Sequence, residues 1–122
     1  MKKHLLIILT FVSSICIFPL AGKANETRCG WLHNPTPANW WLIDKDGRWI
    51  ISAQGGYQAQ GMGNIPNFDD QEYVKTNGYH GYGCACLDVV TNDRESKIVS
   101  IQGGQQLPLN TCRTDPALPA MR

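Results

Sequence analysis

The hydrophobic and polar residues beyond position 24 alternate in short runs that are typical of β-strands. The clearest signal is a pair of aromatic and β-branched runs that flank a Lys-Asp-Gly turn at residues 45–47 and together predict a β-hairpin. A later run turns at residues 92–95 and returns along itself. The predicted strands are residues 39–44, 48–53, 72–76, 82–91 and 97–101.

The segments between these runs are rich in glycine. Residues 54–56, 61–64 and 102–104 are therefore predicted to be loops. Beyond residue 24, the sequence lacks the hydrophobic period of a long helix, and a single helical turn is expected near residues 109–113. We therefore expect one all-β or β-rich domain of about five short antiparallel strands.

The first 24 residues have the layout of a secretory signal peptide. Lys2 and Lys3 precede an apolar run over residues 5–20, and Gly22 and Ala24 supply the small residues of a cleavage site. The run is shorter than the roughly 20 residues that a membrane-spanning helix needs. We predict cleavage after Ala24 and export of residues 25–122 as a single domain. The mature chain is expected to be periplasmic or secreted and not inserted in the membrane.

The charge balance limits the possible partners. The 122 residues carry a formal charge of +1, and removal of Lys2, Lys3 and Lys23 with the signal peptide changes it to −2. A nucleic-acid-binding protein of this size would show a basic excess or a basic stripe, which this sequence lacks. The mature chain is expected to be a monomer that does not bind nucleic acid.

Four cysteines remain after cleavage: Cys29, Cys84, Cys86 and Cys112. An even number in a small exported domain predicts disulfides. Residues two apart on a strand point the same way, so a bond between Cys84 and Cys86 is geometrically poor, and each should pair with Cys29 or Cys112. The predicted hairpin returns the chain near Cys84. This favours Cys84 with Cys112 and Cys86 with Cys29, although the converse pairing stays open.

Several short stretches resemble one bacterial family. They are Arg-Cys-Gly-Trp at residues 28–31, Asn-Pro-Thr-Pro at 34–37, Gln-Gly-Gly at 54–56, Thr-Asn-Gly at 76–78, Tyr-Gly-Cys-Ala-Cys at 82–86 and Leu-Pro-Leu at 107–109. Together they span nearly the whole mature chain and are similar to exported proteins of domain-of-unknown-function family 4087. The resemblance implies a small exported bacterial protein, and it supplies no catalytic residue.

Candidate catalytic chemistry is sparse. Beyond the leader there are two histidines, His33 in a predicted loop and His80 beside the cysteine-containing strand, and no serine lies in a Gly-x-Ser-x-Gly motif. No calcium-loop or phosphate-loop pattern is present, so we expect neither cofactor nor metal. The acidic residues are predicted to lie in solvated loops and turns: Asp44, Asp46, Asp69, Asp70 and Glu72. A small envelope enzyme or thiol-redox protein that uses Cys84 and Cys86, or His80, remains the alternative.

The aromatic residues carry the main functional hypothesis. Tyr79, His80 and Tyr82 lie among glycines at the entry to the cysteine strand, and the adjacent Trp40 and Trp41 must face opposite sides of theirs. Tyrosine and tryptophan are common in recognition surfaces. We therefore predict a binding or inhibitor-type module whose partner is an unknown protein or an envelope glycan. The structural alternative is that Tyr79 and Tyr82 merely cover the disulfides.

Overall fold

The computed structural model of the protein describes residues 25–122, so the predicted signal peptide and its cleavage after Ala24 lie outside the described residues. The described residues form six strands, one short α-helix and two single-turn 3-10 helices, at Met62–Asn64 and Asp70–Glu72. The strands and the α-helix are named in chain order. They are β1 (Glu26–Thr36), β2 (Asn39–Asp44), β3 (Gly47–Ser52), β4 (Tyr73–Asn77), β5 (His80–Asn92), β6 (Lys97–Leu107) and α1 (Leu109–Arg113). Within residues 25–122, no helix has the length and apolar character needed to cross a membrane.

Five of the strands close a ring in the order β1-β2-β3-β6-β5-β1, and β4 adds to the first part of β5. β3 and β6 are parallel and meet at Ile50 and Lys97, while the other pairs are antiparallel. The segment 57–60 completes this junction, because Ala59 donates its N–H to Ile51 and Gln60 to Val99. These pairings close a five-stranded β-barrel, an architecture that by itself assigns no ligand.

Two apolar clusters lie on opposite sides of the barrel wall. The strands alternate between them, so one side fills the barrel and the other faces outward. The barrel core contains Leu32, Leu42, Trp49, Ile51, Ala59, Ala85, Leu87, Val89, Ile98 and Ile101. The outer cluster contains Trp31, Tyr82, Cys84, Leu109 and Cys112, and the C-terminal tail covers it: the Trp31 indole N–H donates to the carbonyl of Pro119 (3.0 Å).

The predicted β-rich fold is confirmed, and the structure refines the number of strands, their extent and one strand direction. There are six strands rather than about five, and β1 includes His33, which was expected in a loop. β1 forms despite Gly30 because the glycine permits close approach: a Cβ there would lie 2.0 Å from the carbonyl oxygen of Ile43. A closed ring of five strands cannot alternate throughout, so one neighbouring pair must be parallel.

The glycine-rich residues 102–104 were also predicted wrongly, because they lie within β6 and not in a loop. Here, too, the cause is close packing. A Cβ on Gly104 would lie 2.7 Å from Cδ2 of Leu87 and 2.9 Å from the carbonyl oxygen of Cys86. The glycine signal in this segment therefore reflects a tight strand contact and not a turn.

The hairpin, the helical turn and the disulfides are confirmed. β2 and β3 flank the turn at residues 45–46, and α1 spans residues 109–113 as predicted. Cys29 is joined to Cys86 and Cys84 to Cys112. Cys29 and Cys86 lie directly opposite each other on β1 and β5, whereas the second bridge fastens α1 to β5.

Candidate functional site

A groove at one end of the barrel contains three of the predicted site residues. It has a volume of about 310 Å³ and lies between the β4–β5 hairpin, the start of β2 and the loop before β4. We call it the Tyr79 groove and define it by Trp40, Phe68, Tyr73, Lys75, Tyr79 and His80. Trp40, Tyr79 and His80 therefore come together from separate strands and a turn.

Tyr79 stands at the lip of this groove. It occupies the turn between β4 and β5, next to Gly78, whose φ of 58° lies in the left-handed region that glycine adopts without strain. The Tyr79 side chain is 86% exposed, and Nζ of Lys75 lies 5.4 Å from its ring centroid. The turn thus presents a large aromatic ring to solvent.

His80 has a defined hydrogen-bond partner in β1. Its Nδ1 lies 2.8 Å from Oδ1 of Asn34, a buried side chain. The amide nitrogen of Asn34 donates to the carbonyl oxygens of Thr36 and Asn39, each at 2.7 Å. These bonds hold the Asn34 amide in one orientation and, through it, the His80 ring.

Two further aromatic residues, Phe68 and Tyr73, line the groove and were missed by the sequence analysis. Their ring centroids lie 5.3 Å apart. Phe68 lies directly over β5, where a Cβ on Gly83 would come within 2.4 Å of its ring. Burial raises the pKa of Tyr73, so its phenol stays uncharged. Gly83 was the one sequence signal for this contact, since a glycine within a strand often marks close approach.

Trp41 and Tyr82 do not join the groove. Both belong to the outer face of the barrel, where the Trp41 indole N–H donates to Nδ1 of His33 (3.0 Å). Tyr82 is only 7% exposed and packs edge-on against Trp31, with centroids 5.3 Å apart. It lies in the cluster that covers the Cys84–Cys112 bridge, as the structural alternative expected for this residue. Trp40, in contrast, packs against the barrel core, so the two tryptophans face opposite sides.

Ionic contacts cross the opposite end of the barrel, beside a second open groove of about 510 Å³. Nη1 of Arg28 lies 2.8 Å from Oδ2 of Asp44 and 3.1 Å from Oδ2 of Asp46, and its guanidinium stacks 4.0 Å from the ring centroid of Trp49. Burial alone would lower the pKa of Arg28, but these hydrogen bonds raise it above its ordinary value. Asp44 also accepts the Trp49 indole N–H (3.0 Å). Oδ1 of Asp44 also accepts the backbone N–H of Asp46 (2.9 Å), as predicted for a turn residue, and the side chain is buried at 4% exposure.

The placement of the cysteines bears on the redox alternative. Cys84 and Cys86 belong to separate bridges, and both Cys84 and Cys112 are buried. The Cys29–Cys86 bridge is more accessible, since Cys29 is exposed. In the part of the chain that the structure describes, no group of three or more His, Cys, Asp or Glu residues could hold a metal ion. Two disulfides in so small a domain indicate an oxidising, extracytoplasmic compartment.

One family model matches the part of the chain that contains the barrel, both disulfides and the groove. Residues 23–119 match the family model described as "Protein of unknown function (DUF4087)". The chain belongs to this family. Comparisons with curated proteins and with solved structures give no match. The assignment confirms the resemblance carried by the cysteine and glycine motifs, and the DUF4087 description names no ligand or reaction.

Proposed function

We propose that this DUF4087 protein is a binding module of the bacterial envelope that holds its ligand in the Tyr79 groove without transforming it. The observation that carries the proposal is the 86% exposed ring of Tyr79 at the lip of an aromatic groove. The two disulfides support an extracytoplasmic location. Cleavage after Ala24 and release into the periplasm or the medium belong to the same proposal.

The groove is built to bind with little loss of conformational freedom. β4 pairs with β5 up to Asn77 and His80, so the Tyr79 turn is closed by strand pairing at its base. The side chain of Asn77 also donates to the carbonyl of Pro35 in β1 (3.3 Å). Ordering of loops and side chains is a main cost of association, and a turn that is already anchored lowers that cost.

The outer face is a weaker candidate because its polar groups already have partners. The Trp41 indole N–H is bonded to His33, and the guanidinium of Arg48 lies 4.9 Å from the Trp41 ring centroid. Tyr82 is buried against Trp31. At the groove, by contrast, Tyr79 is largely exposed.

Chemical-shift mapping tests the proposal. The exported protein, labelled with 15N, is titrated separately with the protein fraction of an envelope extract and with its enzymatically solubilised glycan fraction. We expect amide signals of residues 77–80 to move with one fraction and to stay unchanged in Tyr79→Ala. Trp41→Ala is the matched control on the outer face and should respond as the wild type does. Shifts confined to the outer face, or none with either fraction, would contradict the proposal.

A further inference from the structure

We infer that the groove takes a neutral saccharide: a pyranose ring stacks on Tyr79, and one of its hydroxyl groups donates a hydrogen bond to Nε2 of His80. The inference rests on the proposed binding function and names the chemical class of its ligand.

The first step is the tautomer of His80. The Asn34 amide nitrogen donates to two backbone carbonyls, at 2.7 Å each, so the atom that faces His80 is the amide oxygen, Oδ1. An amide oxygen only accepts, and Nδ1 of His80 must therefore carry the proton. In the neutral imidazole the lone pair is then on Nε2. The groove thus offers a hydrogen-bond acceptor of fixed position, which suits a hydroxyl donor.

The second step is the aromatic surface. A pyranose ring has a face of C–H groups and a rim of hydroxyls, and C–H groups with partial positive charge are attracted to the negative face of an aromatic ring. Tyr79 supplies an exposed ring, and Trp40, Phe68 and Tyr73 line the groove beside it. An aromatic stacking surface beside the hydrogen-bond acceptor of His80 therefore suits both the C–H face and the hydroxyl rim of a pyranose.

The third step is charge and size. Oδ1 of Asp70 and Nζ of Lys75 lie 3.7 Å apart at the groove, so their charges offset each other. The pKa of Tyr73 is raised by burial, and its phenol adds no charge. A volume of about 310 Å³ falls at the lower end of small-molecule sites, roughly 300–1,000 Å³. A neutral mono- or disaccharide fits both properties.

A peptide ligand is disfavoured by the same surface. Extended peptides commonly bind by adding a strand to a sheet edge, and the strand beside the groove is β4. The exposed Lys75 lies in the middle of β4, and charged side chains on outer strands oppose such pairing.

Binding of cellobiose and N,N′-diacetylchitobiose to the exported protein tests the inference, with affinity measured by NMR titration. Tyr79→Ala should weaken the better ligand about 5- to 10-fold through loss of stacking. Tyr79→Phe, which keeps the ring, should retain most of the affinity, and Trp41→Ala on the outer face is the matched control that should leave it unchanged. His80→Asn keeps a donor toward Asn34 but removes the Nε2 acceptor. We expect it to weaken binding about 3- to 10-fold while the melting temperature stays near that of the wild type.

The outcomes separate this inference from the proposed function. If the envelope protein fraction moves the groove signals and neither disaccharide does, the saccharide assignment is overturned and the binding function stands. If no fraction and no disaccharide moves them, both are overturned. If a disaccharide binds equally to the wild type and His80→Asn, the acceptor role of His80 is refuted.

Discussion

The two ends of this barrel differ in how their polar groups are partnered. At the Arg28 end, the guanidinium is bonded to Asp44, Asp46 and Glu26 and stacked on Trp49. At the groove end, Tyr79 is exposed and the His80 ring is hydrogen-bonded through Nδ1 to Asn34. Nη1 and Nη2 of Arg28 are thus bonded within the fold, although its buried Nε has no hydrogen-bond partner among residues 25–122. The groove end presents an exposed aromatic ring that a ligand can contact.

This difference distinguishes residues that stabilise the small disulfide-bonded barrel from residues that can contact a ligand. Charged residues draw attention in a sequence, yet Arg28 and Asp44 are bound to each other and act on stability. The groove holds a single weak ion pair, between the exposed Asp70 and Lys75, together with several aromatic rings. We therefore propose that the ligand binds at the groove end. The comparison predicts that substitutions at the Arg28 end lower stability and that substitutions at the groove weaken binding.

The largest effect is expected from Arg28→Met. The carboxylate of Asp44 would stay buried, at 4% exposure, without its cation. Breaking a buried ion pair by removing one partner costs about 3–5 kcal/mol, and we expect a loss of that size in the free energy of unfolding, measured by urea denaturation. Saccharide affinity of the folded fraction should not change.

Asp46→Asn is the control at the same end. Asp46 is exposed and contacts the same guanidinium at 3.1 Å. Because exposed ion pairs are screened by solvent and contribute little to stability, removal of this charge should be nearly neutral. A loss below about 1 kcal/mol in Arg28→Met would show that these ionic contacts are not what stabilises this end.

Removal of the second disulfide, in Cys84→Ala/Cys112→Ala, should cost about 3–4 kcal/mol on the chain-entropy model. The bridge fastens α1 over Trp31 on the outer face, so tryptophan emission should shift to longer wavelength. The groove lies elsewhere on the barrel, and its saccharide affinity should persist. If the folded variant bound the saccharide more weakly, the groove would depend on the contact with α1. Stability and binding would then not be separable by this substitution.

How much of this could be predicted from the sequence depends on the range of each interaction. The β2–β3 hairpin follows from local residues around an Asp-Gly turn, and it was predicted within about a residue. The disulfides followed from strand alternation at Cys84 and Cys86. β1 was missed because Gly30 and Pro35 disfavour a strand locally, whereas its pairing to β2 and β5 is set by distant parts of the chain.

The candidate site was predicted in part for the same reason. Tyr79 and His80 are neighbours in a recognisable turn, and Trp40 joins them through the barrel. Tyr82 was expected at the surface, but packing on Trp31 and the C-terminal tail buries it. Phe68 reaches the groove through a loop held by Gln106, whose side chain bonds both the N–H and the carboxylate of Asp69. No local pattern marks that long-range contact.

A smaller effect is expected in how the free energy of unfolding depends on pH. Burial lowers the pKa of His33, which accepts a hydrogen bond from Trp41 next to the groove end of β1. The unfolded chain then takes up the proton at a higher pH than the folded one, so stability should be complete above about pH 6.5. It should fall as the pH drops below that value, down to the lowered pKa of the folded state.

The matched variant for this prediction is His33→Asn, whose side-chain oxygen can accept from Trp41 but does not titrate. Unfolding free energies measured between pH 7.5 and 5 should therefore decline less in the variant. At the Arg28 end, hydrogen bonds from Lys45 and Arg28 lower the pKa of Asp46, so that end keeps its charges over the same interval. Equal pH dependence of variant and wild type would remove His33 as the titrating group.

The smallest effect on stability is expected from Tyr79→Ala. A side chain that is 86% exposed buries little apolar area, and substitutions at such positions usually change the unfolding free energy by no more than about 0.5 kcal/mol. Arg28→Met and Tyr79→Ala should thus form a crossed pair, one losing stability and keeping the ligand, the other keeping stability and losing the ligand. Both quantities can be measured on one sample, by urea unfolding and NMR titration with the disaccharide. If Tyr79→Ala lost several kcal/mol, the ring would be a structural cover of the barrel end, and the contrast between a stabilising end and a binding end would fail.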